Sequence, residues 1–312
     1  MRKQAVMGVL AMAVALGTVG AVGAGALGGS AEESGSGAGA GAGVEAKGGG
    51  GGLPEALAPS GLRAVGLTAD QKLVLFRVDR PGAAVPLGKV DGLKGDRTLV
   101  GIDYRVQNRK LYAVGDQGGI YTIREAGARA TKVSQLSVAL QGKAFGVDFN
   151  PAANRLRVIS DTGQNLRHNL DDPAGAPAPG TTAVDGTLTN PPVPPNPGAT
   201  ALGVTGAAYT NNDLDATTAT TLFDLDTTLD QVSVQSPANA GNLAPTGKLG
   251  VDAPLNSGFD IYSSARNGTN TGYAVTGGKS FRVNLLTGKL SSLGSFPHGR
   301  QVVDVALPLN QG

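Results

Sequence analysis

"DFNPAANRLRVISDTGQNLRHN", residues 148 to 169, places a strand-like run, a sharp turn, a second strand-like run and a polar hairpin inside twenty-two residues. "NPAAN" and "DTGQN" hold the residues that make turns: Pro presets φ, Gly supplies positive φ, and Asn and Asp satisfy turn backbone. The runs between them are short and carry no helical period, so they read as strands. The same stretch is dense in Asp, Asn, Arg and His. It is therefore either a catalytic or ligand site, or one unit of a repeated scaffold.

Working outward, its opening run recurs. "VGIDYR" (100 to 105), "FGVDFN" (145 to 150), "TGAAYT" (205 to 210), "SGFDIY" (257 to 262) and "VVDVAL" (302 to 307) line up. In the first four, Gly stands two positions before Asp or Ala: Gly101/Asp103, Gly146/Asp148, Gly206/Ala208 and Gly258/Asp260. The fifth has Val302/Asp304. Each of the first four is followed by a second run ("KLYAVG", "RLRVIS", "TTLFDLD", "TGYAV"), a third ("GIYTIR", "QNLRHN", "DQVSVQ", "SFRVNL") and a weaker fourth near "TKVSQL", "TAVDGTL", "PTGKLG" and "LSSLG". Four strands every roughly 45 to 60 residues is the signature of a propeller blade.

The domain's ends complete the pattern. "VVDVAL" is a first strand with no successors, while "LRAVGLT", "KLVLFRV" and "AAVPLGKV", at residues 62 to 90, are later strands with no first. Joining them gives a fifth blade and removes two exposed sheet edges. The expected fold is all-β, a five-bladed β-propeller over residues 61–309 closed by pairing of N- and C-terminal strands. Side chains at i and i+2 share a strand face, so each Gly shares a face with its Asp on the innermost strand, where a residue without Cβ permits close backbone approach. Ile102/Tyr104, Val147/Phe149, Ala207/Tyr209 and Phe259/Ile261 then take the opposite face and are expected between blades.

Ahead of this domain, Met1 to Lys3 give a short positive start, and an apolar run diluted by Gly ends in small residues around "GAGALGGSA". That is the pattern of a secretory signal peptide over residues 1–30. A membrane anchor competes, since the run just reaches the ~20 residues a span needs, but Gly weakens insertion and no basic stop-transfer flank follows. The expectation is export by the general secretory route and a free extracellular protein. Residues 31–60 begin "AEESGSGAGAGAGVEAKGGGGG" and read as a disordered Gly/Ala-rich spacer.

The chain has 312 residues and no Cys, which excludes a disulfide framework, Cys-ligated zinc, iron–sulfur chemistry and thiol catalysis. A formal net charge of +2 with no basic block gives no nucleic-acid footprint. Aromatic residues make up 4% and Trp is absent, so a stacking platform for bases or sugars is disfavoured.

The quoted stretch, together with "AAYTNND", "TTLFDLDTTLDQVSVQSPANAGNL" and "GFDIYSS", resembles a bacterial domain-of-unknown-function family, number 4394, over approximately residues 62 to 308. The resemblance implies an exported, propeller-like protein. It brings no reaction, substrate or catalytic residue.

Three groups carry the candidate chemistry. Asp103, Asp148, Asp260 and Asp304 sit at equivalent repeat positions and are expected to line the channel as possible ligand-binding groups. Two carboxylates about 8 Å apart repel by roughly 2 kcal/mol at an effective dielectric of 20 and by about 0.5 kcal/mol in water, so a dry channel calls for a cation, with oxygen ligands favouring calcium or magnesium. The alternatives are that each Asp accepts hydrogen bonds from neighbouring-blade N–H groups or faces a substrate. No other cofactor is expected, and Ala208 breaks the symmetry a metal ring would need. Asp161, Arg167 and His168 form a second polar group; the competing reading is a hairpin connection with Arg157 and Arg167 pairing across strands. No "GxSxG" elbow accompanies them. The third group is five Asp, Asp213, Asp215, Asp224, Asp226 and Asp230, within eighteen residues. They lack the Gly and Glu of an EF-hand loop and read as solvated turns flanking the "TTLFDLD" strand.

"NPPVPPNPG" (190 to 198) reads as an exposed crossover between the third and fourth blades. These features point to a monomeric, non-catalytic extracellular binding or scaffold module for an unknown ligand, carbohydrate or protein. The alternative is a secreted hydrolase or lyase acting on extracellular polysaccharide, with channel Asp residues and His168 as acid and base.

Overall fold

A computed structural model describes residues 61–311 except Asn196 and Ala216. The signal and spacer expected over residues 1–60 lie outside the described residues. In chain order the strands are β1 (Arg63–Thr68), β2 (Lys72–Arg77), β3 (Arg80–Lys89), β4 (Leu99–Arg105), β5 (Lys110–Gly115), β6 (Gly119–Arg124), β7 (Arg129–Gln135), β8 (Phe145–Asn150), β9 (Arg155–Ser160), β10 (Asn165–His168) and β11 (Thr182–Val184). Then follow β12 (Val204–Tyr209), β13 (Leu222–Asp226), β14 (Gln231–Gln235), β15 (Leu243–Lys248), β16 (Gly258–Ser263), β17 (Asn270–Thr276), β18 (Lys279–Val283), β19 (Leu290–Ser295) and β20 (Val302–Ala306).

They form five four-stranded antiparallel sheets, the blades of a propeller. Blade 1 is ordered β20-β1-β2-β3; blades 2 to 5 follow as β4–β7, β8–β11, β12–β15 and β16–β19. The expected closure is present: β20 pairs antiparallel with β1, Val65 opposite Ala306 and Leu67 opposite Asp304. The two ends of the domain thus share one sheet, with β20 as the inner strand of blade 1.

The innermost strands β4, β8, β12, β16 and β20 pack side by side around the axis. The period-two reading explains how closely. A Cβ on Gly146 would lie 2.6 Å from the Ala207 amide nitrogen, and one on Gly258 2.4 Å from the Asp304 Cα. Any side chain there would push blades apart. The other face supplies the packing: Ile102 and Tyr104, Val147 and Phe149, Ala207 and Tyr209, and Phe259 and Ile261 are all buried in apolar wedges. The core is therefore five wedges between blades. Residues 190–195 of the Pro-rich crossover run largely exposed between blades 3 and 4. Among the described residues no helix is long and apolar enough to cross a membrane.

Candidate functional site

The Gly/Asp face of each inner strand looks toward the next blade, which fixes what the four aspartates do. Asp103 Oδ2 accepts the Phe149 N–H at 2.8 Å, and Asp148 Oδ1 accepts the Tyr209 N–H at 3.1 Å. Asp260 Oδ2 accepts the Leu307 N–H at 2.6 Å, and Asp304 Oδ2 accepts the Ile102 N–H at 2.7 Å. Each carboxyl clasps the following blade, so four of the five seams are closed by the same device. The seam between blades 4 and 5, where Ala208 stands, is closed differently. There Asn212 Nδ2 donates to the Ile261 carbonyl, its N–H donates to Ser263 Oγ, and Asn211 and Asn270 exchange bonds of 2.9 and 2.7 Å.

All four aspartates are buried, with 2–7% of their surface exposed. Burial pushes the Asp103, Asp148 and Asp304 carboxyls well above the carboxylate range, with charge from the neighbouring aspartates adding to it. Burial raises Asp260 to about 7. Asp103, Asp148 and Asp260 each bring a carboxyl oxygen within 4.8 Å of the other two. These three are the residues able to hold a cation, and oxygen donors suit calcium or magnesium. Asp260 has a bond on each oxygen, since it also accepts the Ile261 N–H on the second, whereas Asp103 and Asp148 each spend one oxygen on their clasp. Close buried carboxyls otherwise relieve repulsion by retaining protons, and the raised values describe that state.

At the N-terminal ends of the inner strands the axis opens into a depression of about 270 Å³ lined by Gln71, Thr98, Lys143, Thr205, Asn256 and Ser257 among others. Gln71 fixes its rim by accepting the Leu99 N–H at 2.7 Å and donating to the Leu99 carbonyl at 3.2 Å. Asp103 lies three residues beyond Val100, roughly 10 Å deeper along the strand.

The second candidate group is dispersed. Asp161 Oδ1 accepts the N–H groups of Lys143 and Ala144 at 2.8 and 3.2 Å. Asp116 does the same for Arg97 and Thr98 in blade 2, at 2.7 and 3.2 Å. Asp161 is thus a repeated clasp at the start of an inner strand. Arg167 Nε and Nη2 donate to Asp185 at 3.1 Å each. His168 is fully buried, its Nε2 2.9 Å from Ser134 Oγ and its Nδ1 2.9 Å from Thr182 Oγ1. Ser and His are spaced as in a nucleophile and base, but a neutral hydroxyl stands where an orienting carboxylate belongs. Burial also lowers His168 to about 4, leaving a weak base.

Arg157 is the centre the sequence left in the background. Its Nη1 donates to Asp185 and Asn165 at 2.6 and 2.7 Å, its Nη2 to Asn239 at 2.7 Å, and its Nε to the Tyr209 hydroxyl at 3.3 Å. Arg157 and Arg167 are register partners, and Asp185 bridges the two cations. Asp185 lies in "AVDGTL", a weak fourth run with no motif to mark it.

The acidic run divides. Asp213 and Asp215 accept bonds within their own exposed turn, as read. Asp224 and Asp226 lie in β13, within the expected "TTLFDLD" strand, and both are fully buried, which corrects the solvated reading for these two. Both Asp224 oxygens lack a partner, and burial holds its carboxyl well above the usual range. Alternation placed them on the face of β13 that meets blade 3, where a neutral carboxyl is tolerated.

The family model described as "Domain of unknown function (DUF4394)" matches residues 72–306. No curated protein matches the chain in sequence. Similar solved structures include the nidogen/laminin complex (12% identity, 81% of this chain and 88% of that one, TM-score 0.44). Two others are from Bacteroides thetaiotaomicron VPI-5482. One is a structural genomics protein of unknown function (13%, 81% and 66%, TM-score 0.43), the other an auxiliary nutrient binding protein (10%, 80% and 62%, TM-score 0.40).

Proposed function

This chain belongs to the DUF4394 family, which assigns it no reaction, and from its own geometry we propose that it is an exported, non-catalytic binding module presenting the axial depression to a polar segment of an extracellular carbohydrate or protein. The observation that carries this reading is the use to which the polar side chains are put. The four axial aspartates clasp blades, Asp161 ties a strand entrance, and His168 is enclosed by two hydroxyls. By contrast, the axial depression is built by residues from all five blades and includes Lys143 and several hydroxyls and amides. Ligand sites gather at such concave meeting points of elements. Export rests on the positive start, the apolar run and the small residues after it.

The test uses soluble xylan, arabinan, pectin and gelatin with the full chain, following product release and hydrogen exchange together. Expected are no products and slowed exchange around Thr98–Val100, Lys143–Phe145 and Asn256–Ser257 with at least one of the four. Products released by the wild type and not by a His168→Ala/Asp148→Asn double variant would replace this reading with polysaccharide cleavage. Recovery of the protein from the medium with residues 1–30 removed checks export; retention of the intact N-terminus in the membrane fraction would refute it.

A further inference from the structure

The inner strands have a second end, and there a cavity of about 350 Å³ lies between blades 3 and 4, within the ~300–1,000 Å³ of small-molecule sites. Its walls are the last residues of β8 and β12, Asn150 and Tyr209, the entrance to β13 at Thr221, and the segment leaving β14, with Gln235, Pro237 and Asn239. That segment is held firmly. Asn165 Nδ2 donates to the Ala238 carbonyl at 3.1 Å, and the Gly186 N–H donates to the Asn239 carbonyl at 2.9 Å. Gly241 turns the chain at φ 73°, where a Cβ would meet the Gly186 carbonyl oxygen at 2.2 Å. Such a wall is fixed before any ligand arrives.

The lining selects a chemistry. No Asp, Glu, Lys, Arg or His lines this cavity. Arg157, whose guanidinium reaches Tyr209 and Asn239 in its wall, has its charge met by Asp185 and four of its five donors taken by side chains. A charged ligand of either sign would therefore lose water without gaining a counter-ion. A wholly apolar ligand would strand amides and hydroxyls. What remains is a neutral molecule whose groups both donate and accept. Gln235 points the same way: it is 2% exposed, its Nε2 donates to the Ala238 carbonyl, and its Oε1 has no partner among the described residues. A buried acceptor without a donor is completed by one brought from outside. Leu222, Val234 and Pro237 add the apolar strips that the carbon face of a sugar ring covers.

We propose that this interblade cavity is a binding site for a neutral polyhydroxylated ligand, a single saccharide unit, with a ligand hydroxyl donating to Gln235 Oε1. The site is separate from the axial depression, at the opposite end of the inner strands, so either can fail without the other.

The experiment titrates the full chain with D-glucose, D-galactose, D-mannose, D-xylose and N-acetylglucosamine, by calorimetry and by melting temperature. Glucuronate and glucose 6-phosphate serve as charged counterparts. At least one neutral sugar is expected to bind and raise the melting temperature, with its charged counterparts about tenfold weaker or more. Thr221→Trp, a change at an exposed residue that fills the cavity, and Gln235→Met, which removes the acceptor, should each weaken binding about tenfold. Asn256→Trp, at an exposed residue of the axial depression, should leave it unchanged. The proposal is overturned if no neutral sugar binds, if charged sugars bind equally well, if binding survives Thr221→Trp in a cooperatively folding variant, or if Asn256→Trp abolishes it.

Discussion

Blade 4 meets its two neighbours in opposite ways. Toward blade 3 it presents Tyr209, Asp224, Ser233 and Gln235, and receives the Arg157 guanidinium with its bridging Asp185. Toward blade 5 it presents Ala208, Phe223 and Leu225 against Phe259 and Ile261. The two faces come from alternate residues of the same strands, "AAY" and "LFDLD". Ala208 belongs to the apolar face, where a carboxyl would be buried against Phe259 and Leu225. The missing aspartate is thus the consequence of an apolar seam, whose polar closure has moved to Asn211 and Asn212 at the strand end. A polar seam depends on complete pairing, and an apolar seam depends on shape.

The most damaging change should fall on the polar side. Arg157→Met keeps much of the side chain's bulk but leaves Asn165, Asn239 and part of Asp185 without donors. Breaking a buried pair from one side costs about 3–5 kcal/mol. A trim of the apolar seam, Ile261→Val, should cost about 0.5–1.5 kcal/mol. Urea denaturation of both variants measures the difference. Equal losses would mean that the Arg157 network adds nothing to the packing around Ile159 and Leu222.

Much of this contrast was legible in the chain, and part was not. The Gly-x-Asp runs gave the blade count, the closure of β20 on β1 and the inter-blade residues, because all three rest on the repeated inner strand, its period-two alternation and the steric need for Gly146 and Gly258. The blade-clasping role of Asp103, Asp148, Asp260 and Asp304 was one of the readings that repeat position allowed. Asp185 and Asn239 could not be found that way. They reach Arg157 across 28 and 82 residues of sequence, from irregular segments with no counterpart in the other blades. The burial of Asp224 and Asp226 was hidden for a related reason: "TTLFDLD" marked a strand, but its acidic composition suggested solvent, whereas alternation within it puts both inward.

An effect of intermediate size separates the clasped seams from the unclasped one by pH. The axial carboxyls have folded-state values above the ~3.9 of an unfolded chain, so between that value and the folded one the native state holds more protons. Their contribution is therefore largest near pH 4 and is lost as pH rises through about 7, the value for Asp260. His168, lowered to about 4, acts in the opposite sense: its contribution is present above the ordinary His value and lost as pH falls toward 4. It offsets one carboxyl of similar shift, Asp260, leaving Asp103, Asp148 and Asp304, with the likewise raised Asp224 and Asp226, to decide the sign. The melting temperature should be higher at pH 5 than at pH 8 by about 3 °C or more, as a ~1 kcal/mol difference implies for a domain this size. A higher melting temperature at pH 8 would mean that the axis is ionised and neutralised by something other than protons.

The smallest effect tests a single clasp. At pH 5 Asp148 carries its proton and serves the Tyr209 N–H through Oδ1. Asp148→Asn keeps an oxygen acceptor in place and removes only the acid, so at pH 5 stability should change by less than about 1 kcal/mol. At pH 8 the same variant should be the more stable protein, since it no longer has a proton to lose beside Asp103 and Asp260. Asp148→Ala strands the Tyr209 N–H and should cost about 1–3 kcal/mol at both pH values. Parallel denaturation curves for the two variants distinguish an acceptor from a charge. If Asn costs as much as Ala at pH 5, the carboxyl's role at this seam is to hold something that an amide cannot, and the three oxygens that meet within 4.8 Å become a cation site in place of a proton-sharing one.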